Sequence, residues 1–198
     1  RNVLATVPIP MNWPEQEVRL ISEKKPRGVR TGTRTIPGRA KLLTISIPAM
    51  PSGSNATIER LYEITRYRVR FTLDPQELRV REKNTAKLRL FLGSAPGIVL
   101  KNKRLNKIVD DLRKPDETPW NVARSYFDWI RRNVRYEFRP IYKGTLPTLQ
   151  DRVGDCDDMT AVFVSMCRSS GIPARTVLIE NHAYPEFHLE DAKGNGYW

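Results

Sequence analysis

Apolar and polar residues alternate at several places in the first half of the chain. In "YRVRFTL", Tyr67, Val69, Phe71 and Leu73 alternate with Arg68, Arg70 and Thr72. In "KLRLFLG", Leu88, Leu90 and Leu92 do the same, and "LLTISIP" repeats the pattern more weakly. A period of two residues predicts half-buried antiparallel strands. Turn-rich stretches, "SEKKPRGVRTGTRTIPGR" and "PAMPSGSN", separate them. The pattern changes near "GSAPG", residues 93–97. The expected division is therefore a β-rich lobe over 1–97 and a second domain over 98–198.

The second half has helical spacing. Leu105, Ile108, Val109 and Leu112 mark a short amphipathic helix. Thr118 and Pro119 supply a cap and a first helical residue, and Val122, Tyr126, Ile130 and Val134 then fall on one face. "RPIYKGTLPTLQDRVG" is expected to be a loop. In "VGDCDDMTAVFVSMCRSSGIPAR", Asp155 is the expected N-cap and Cys156 the first helical residue. Asp157 and Asp158 fill the first turn, where negative charge is favoured. Met159, Val162, Phe163 and Met166 are expected to face the core, and Gly171 with Pro173 ends the helix. "ARTVLIE" and "HAYPEFHL" are then strands. The second places Ala183, Phe187 and Leu189 on one face and His182, Tyr184, Glu186 and His188 on the other. Pro185 argues for an edge or an irregularity there. "FHLEDAKGNGYW" reads as a strand, a turn and the start of another strand.

Composition adds three constraints. With 198 residues, 39% hydrophobic and 28% charged, the chain can bury a self-sufficient core. No apolar run reaches the length of a membrane span. The net charge of +12 favours acidic partners. Lys and Arg are nevertheless scattered, with neither a basic helix nor a basic-aromatic sheet motif, so nucleic acid is not an expected partner. The start at Arg1 suggests a processed or trimmed piece.

The two cysteines lie on one expected helix, eleven residues and so about 16 Å apart, too far for a disulfide. Two free thiols are expected. Cys167 reads as a small apolar residue inside the helix. Cys156 is different, because it stands at the front edge among aspartates. Backbone N–H groups at a helix start favour an anion and can also hold an oxyanion. The adjacent carboxylates oppose an anion, so a nucleophilic Cys156 needs a cationic partner, usually histidine. The chain offers His182 and His188, about 20 Å apart on one strand, so only one can accompany Cys156. Spacing alone does not choose between them.

These segments resemble the core of the transglutaminase-like superfamily. That family shows a Gly-x-Cys at a helix start, then "CR..GIPAR" into a strand, then "HAW.E" on the next strand. "NKIVDDLRKPDETPWNVARSYFDWIRRNVRYEF" resembles its two preceding helices, so the likeness spans residues 98–198. It implies that Cys156 is the nucleophile and His182, with Ala183 and Glu186, its histidine. His188 falls outside the pattern. Tyr184-Pro185 stands where the family has Trp and an aliphatic residue. The family's third member, an Asp shortly after a Trp, is expected just beyond Trp198, and Asp191 in the turn is a poor substitute. The implied fold is α+β: a papain-like core, in which the nucleophile helix packs on an antiparallel sheet, preceded by the β-rich lobe.

The implied function is amide-bond chemistry on a protein or peptide through a Cys-His(-Asp) acyl-enzyme. Hydrolysis, as in a cysteine protease or amidase, is expected ahead of cross-linking. No cofactor is expected. "DCDD" lacks regular metal-ligand spacing and reads as a helix cap. The alternative is a catalytically inactive binding or scaffold domain that holds an acidic polymer on its basic surface. The family's habit of working outside the cytoplasm suggests a secreted or periplasmic location.

Overall fold

Five strands open the chain: Val3–Ile9 (β1), Gln16–Lys24 (β2), Arg30–Ile36 (β3), Ala40–Ile47 (β4) and Glu59–Arg66 (β5). The structure is a computed structural model that describes residues 2–36, 40–81 and 86–198. β1, β4 and β3 form an antiparallel sheet in that order, and β2 pairs with β5 across a bulge between Leu20 and Ser22. Glu23 on β2 ties the two sheets together. Its carboxylate forms an ion pair with Lys25 at 2.9 Å, accepts from the Thr31 hydroxyl of β3 at 2.8 Å, and accepts from Arg60 of β5. Lys25, Thr31 and Arg60 together hold that carboxyl down at about 2.

Three features of this region differ from expectation. First, "RTGTRTI" is a strand and not part of a turn. Its alternating Thr31, Thr33 and Thr35 are β-branched and suit a pleated surface. Pro37, Gly38 and Arg39 of the same expected turn lie outside the described residues. Second, "YRVRFTL" is not a strand. The β2–β5 ladder ends where Tyr67 donates its N–H to Glu15, because its partner strand begins only after the Trp13–Gln16 turn. Beyond that point no strand continues through residues 67–73, and Tyr67, Val69 and Phe71 are exposed. Third, "KLRLFLG" begins as a single helical turn, Ala86–Arg89 (α1). Lys, Leu and Arg favour helix, and the segment has no β-branched residue.

The compact units divide at Thr72/Leu73, earlier than the change of pattern at 93–97. The reason lies in what residues 75–98 touch. Leu78 and Ile98 belong to the core of the second unit. Gln76 accepts from the Thr118 hydroxyl at 2.7 Å, and Arg79 pairs with Glu190.

The second unit contains the helices Lys103–Leu112 (α2), Pro119–Asn133 (α3), Thr145–Asp151 (α4) and Cys156–Ser169 (α5). Its strands are Arg135–Tyr136 (β6), Val153–Gly154 (β7), Ala174–Ile179 (β8), His182–Phe187 (β9), Leu189–Glu190 (β10) and Gly196–Tyr197 (β11). α2 begins at Asn102, whose side chain accepts from the Arg104 and Leu105 N–H groups. α3 begins at Thr118 with Pro119 in the first turn. The expected loop 139–154 contains α4, with Thr145, Thr148 and Leu149 buried on one face.

α5 is the central element. Residues 160–168 are buried on every side of the helix, not along one stripe. α2, α3, α4 and the β8–β9 hairpin pack around it. Gly171, at φ 77°, turns the chain out of the helix. The second unit is thus mixed α and β, built about one buried helix.

Met166 is fully buried in that helix. Met166→Ala is expected to lower unfolding stability by about 2–5 kcal/mol, read by urea denaturation of the whole chain. A loss below half a kcal/mol would show that α5 is not the core element.

Candidate active site at the start of the buried helix

Three aspartates fix the start of α5, and each does something different. Asp155 caps the helix, its carboxylate accepting the N–H groups of Asp157 at 3.1 Å and Asp158 at 3.2 Å. Asp158 points inward and has no solvent exposure. Its Oδ1 accepts the N–H groups of Lys143 at 2.8 Å and Gly144 at 2.9 Å, so it clamps the preceding segment to the helix. Its Oδ2 is buried with no hydrogen-bond partner. Asp157 is partly exposed. Burial, with the charges of Asp155 and Asp158, raises its carboxyl above the ordinary value, while His182 pulls it the other way.

Gly154 shows why a glycine stands two residues before the cysteine. A Cβ there would lie 2.7 Å from the Asp158 Cβ and 3.0 Å from the Thr148 methyl. Gly144 is constrained in a similar way, with φ 77° and the backbone of Gly97 against it. The helix start can therefore close onto α4 only if these positions carry no side chain.

Cys156 is the first residue of α5 and is half-buried. One turn further on, on the same face, the Thr160 hydroxyl reaches the Ala183 carbonyl at 3.5 Å. His182, the neighbour of Ala183, opens β9 and is exposed. The first turns of α5 and the beginning of β9 thus lie side by side, and the His182 charge is felt at Asp157, next to Cys156. Cys167 is buried, and burial pushes its thiol far above the ordinary range.

Residues 106–198 match the transglutaminase-like superfamily. This part of the chain is similar to that superfamily. The fold is shared with a solved structure described as a "putative cysteine protease" from Cytophaga hutchinsonii. The two are 18% identical with a TM-score of 0.70, over 98% of this chain and 69% of that one. A second, a "putative protease" from Parabacteroides distasonis, is 13% identical over 98% of this chain and 39% of that one, with a TM-score of 0.38, too low to bear on the fold. No curated protein matches the chain.

Other residues of the transglutaminase-like pattern hold this framework together. Arg168, in "CR", is buried and donates to the Ala174 carbonyl at 2.9 Å and to the Gly93 carbonyl, tying the end of α5 to β8. Arg175 and Glu186 face each other across the β8–β9 register and form an ion pair, with Nε 2.7 Å from Oε2. The Arg175 guanidinium also lies 4.1 Å from the centre of the Trp198 ring. Sequence reasoning missed α4 and the Asp158 clamp. The signal for α4 was the helical spacing of Thr145, Thr148 and Leu149, with Pro147 in the first turn.

His188 departs from its expected place on the exposed face with His182. It sits at the break between β9 and β10 and is buried. Its ring lies edge-on to Trp198 at 5.1 Å, and leaves no room for a side chain at Gly196. Asp191 is taken up by the β10–β11 turn, accepting from Lys193, Asn195 and Tyr197. Among the described residues, no group of three or more His, Cys, Asp or Glu could hold a metal ion. No described helix is long and apolar enough to cross a membrane.

Burial lowers the His188 pKa below its ordinary value, with Arg81 and Arg175 acting in the same direction and Glu190 against it. The unfolded chain takes up that proton near pH ~6.5, and the folded chain only at lower pH. The stabilising contribution is therefore complete above that range and is lost as pH falls through it. Urea denaturation at pH 7.5 and 5.5 is expected to show lower stability at 5.5. His188→Gln should remove most of that pH dependence, and an unchanged dependence in the variant would assign it elsewhere.

Proposed function

We propose that the second unit is a papain-like thiol enzyme that cleaves amide bonds of proteins or peptides, with Cys156 as nucleophile and His182 as its proton carrier. The observation that carries this reading is the pairing of the α5 start with the β9 start. One supplies a half-buried thiol at a helix end, and the other an exposed imidazole beside the same turn.

The steps follow from those positions. The imidazole takes the thiol proton, and the sulfur attacks the amide carbonyl carbon. Asp155 occupies the N–H groups of Asp157 and Asp158, so the donor assigned to the developing oxyanion is the N–H of Cys156 itself. His182 then returns the proton to the leaving amine as the C–N bond breaks. Water attacks the resulting thioester, His182 accepts its proton, and the acid leaves with the thiol restored. Hydrolysis is preferred to transfer onto a second amine because the structural neighbour of the same fold is described as a protease.

A second reading rests on charge. Residues 1–72 contain 13 Lys and Arg against 5 Asp and Glu, a net charge of +8, two-thirds of the total of +12. In that reading the transglutaminase-like domain is catalytically inactive and the chain holds an acidic polymer on its basic surface.

Iodoacetamide labelling near neutral pH separates the two readings. The enzyme reading expects Cys156 to be alkylated rapidly and Cys167 not at all. His182→Ala should slow Cys156 labelling by about tenfold or more. Slow and equal labelling of both thiols would leave only the binding reading.

A further inference from the structure

The three-stranded sheet of the N-terminal unit has no carboxylate of its own. β1, β4 and β3 read "VLATVPI", "AKLLTISI" and "RTGTRTI", without Asp, Glu or an aromatic ring. The register sets Leu4 against Ser46 and Ser46 against Arg30, then Thr6 against Thr44 and Thr44 against Gly32. Directly opposed residues share a face of a sheet, so these two rows stand on one side. The row between them, centred on Ile45, turns to the other side. Arg34, two residues beyond Gly32, returns to the first.

Both rows line one depression of about 550 Å³. Its walls are the two rows and its floor is the backbone of the row between them. Gly32 helps to open it, because a Cβ there would lie 3.0 Å from the Thr44 hydroxyl oxygen of the same row. Gly32 does not have a positive φ, so the backbone does not itself require a glycine at this position. Thr6, Thr44 and Ser46 bring hydroxyls to the depression, and Arg30 and Arg34 stand exposed along its outer strand.

Charge indicates the occupant. Among the described ion pairs none uses Arg30 or Arg34. Four residues apart on β3, they are ~13 Å apart along the strand. Glu23 does reach this sheet, but at Thr31, whose side chain points to the opposite side, and it is already paired with Lys25 and Arg60. An anion on the open side therefore meets two guanidinium groups and no competing carboxylate of the sheet. Two spaced guanidinium groups suit an extended chain with repeated carboxylates better than a single small ion. The hydroxyls of Thr6, Thr44 and Ser46 can both donate to and accept from sugar hydroxyls. A nucleic acid fits less well, because the sheet offers no aromatic ring on which a base could stack.

We propose that this side of the β1–β4–β3 sheet, from Arg30 across Gly32 to Arg34, is a binding site for an extended polysaccharide that bears carboxylates. The proposal rests on the acidic polymer of the second reading, which it narrows to one face of one sheet. It is independent of the chemistry at Cys156.

The probe is a fluorescein-labelled oligogalacturonate, with its methyl ester as the uncharged comparison. Anisotropy is measured on the full chain at low salt, where charge contacts are least screened. The acid is expected to bind and the ester not. Arg30→Gln and Arg34→Gln should each weaken binding about tenfold. Gly32→Val keeps the charge, suits a strand and fills the depression, and should weaken binding as much. Arg68→Gln, an equal loss of charge outside this sheet, should leave the affinity within about twofold. An unchanged thermal unfolding midpoint confirms that each variant is folded. Binding undiminished in all three sheet variants, or weakened equally by Arg68→Gln, would overturn the site and leave only a diffuse basic surface. Absence of binding by the unsubstituted chain would overturn the site and the acidic-polymer reading together. Equally tight binding of poly(dT) would overturn the polysaccharide as occupant.

Discussion

A carboxylate buried without any solvent contact determines where the chemistry can be. Asp158 lies in the first turn of α5 and grips the N–H groups of Lys143 and Gly144. Removing such a group from water is costly unless its oxygens are met by donors. The backbone of 143–144 must therefore come to the helix. It reaches it only because Gly144 adopts a left-handed conformation and Gly154 leaves no side chain between Asp158 and Thr148. Three separate stretches of chain are thus drawn to one point, and Cys156 is fixed there with little freedom. The otherwise buried α5 gives that point a rigid support.

The second constraint is the hairpin that meets this helix. Arg168 anchors β8 to the end of α5, and the Arg175–Glu186 pair fixes the register between β8 and β9. A slip of one residue would turn His182 to the other face of the strand. Residues of the family pattern that take no part in the proposed reaction therefore set the position of the one that does. The same framework closes around His188, which became part of the packing against Trp198.

Much of the second unit was legible because its signals are local. A cap and the apolar spacing lie within a few positions of one another in α3 and α5, and α3 adds a proline in its first turn. What was not legible depended on partners distant in sequence. The alternation at 67–73 is more regular than that of β4, yet of the two it is β4 that has strands on both sides. Arg30–Ile36 carries few apolar residues and is a strand because β4 pairs with it. The Asp158 clamp could not be foreseen either. A carboxylate in a first helical turn ordinarily faces solvent, and only the approach of residues 143–144 turns it into a buried acceptor. The family pattern singled out Cys156 and His182 as the candidate pair, whereas spacing left His182 and His188 equivalent.

The account stands on a direct interaction between the Cys156 thiol and the His182 ring at the head of α5. Side-chain 1H–15N NMR of the two histidines reads it most directly, in the unsubstituted chain and in Cys156→Ser. The account predicts that the ring signals of His182 shift when the sulfur is removed, while those of buried His188 stay in place. Identical His182 signals in the two proteins would contradict it.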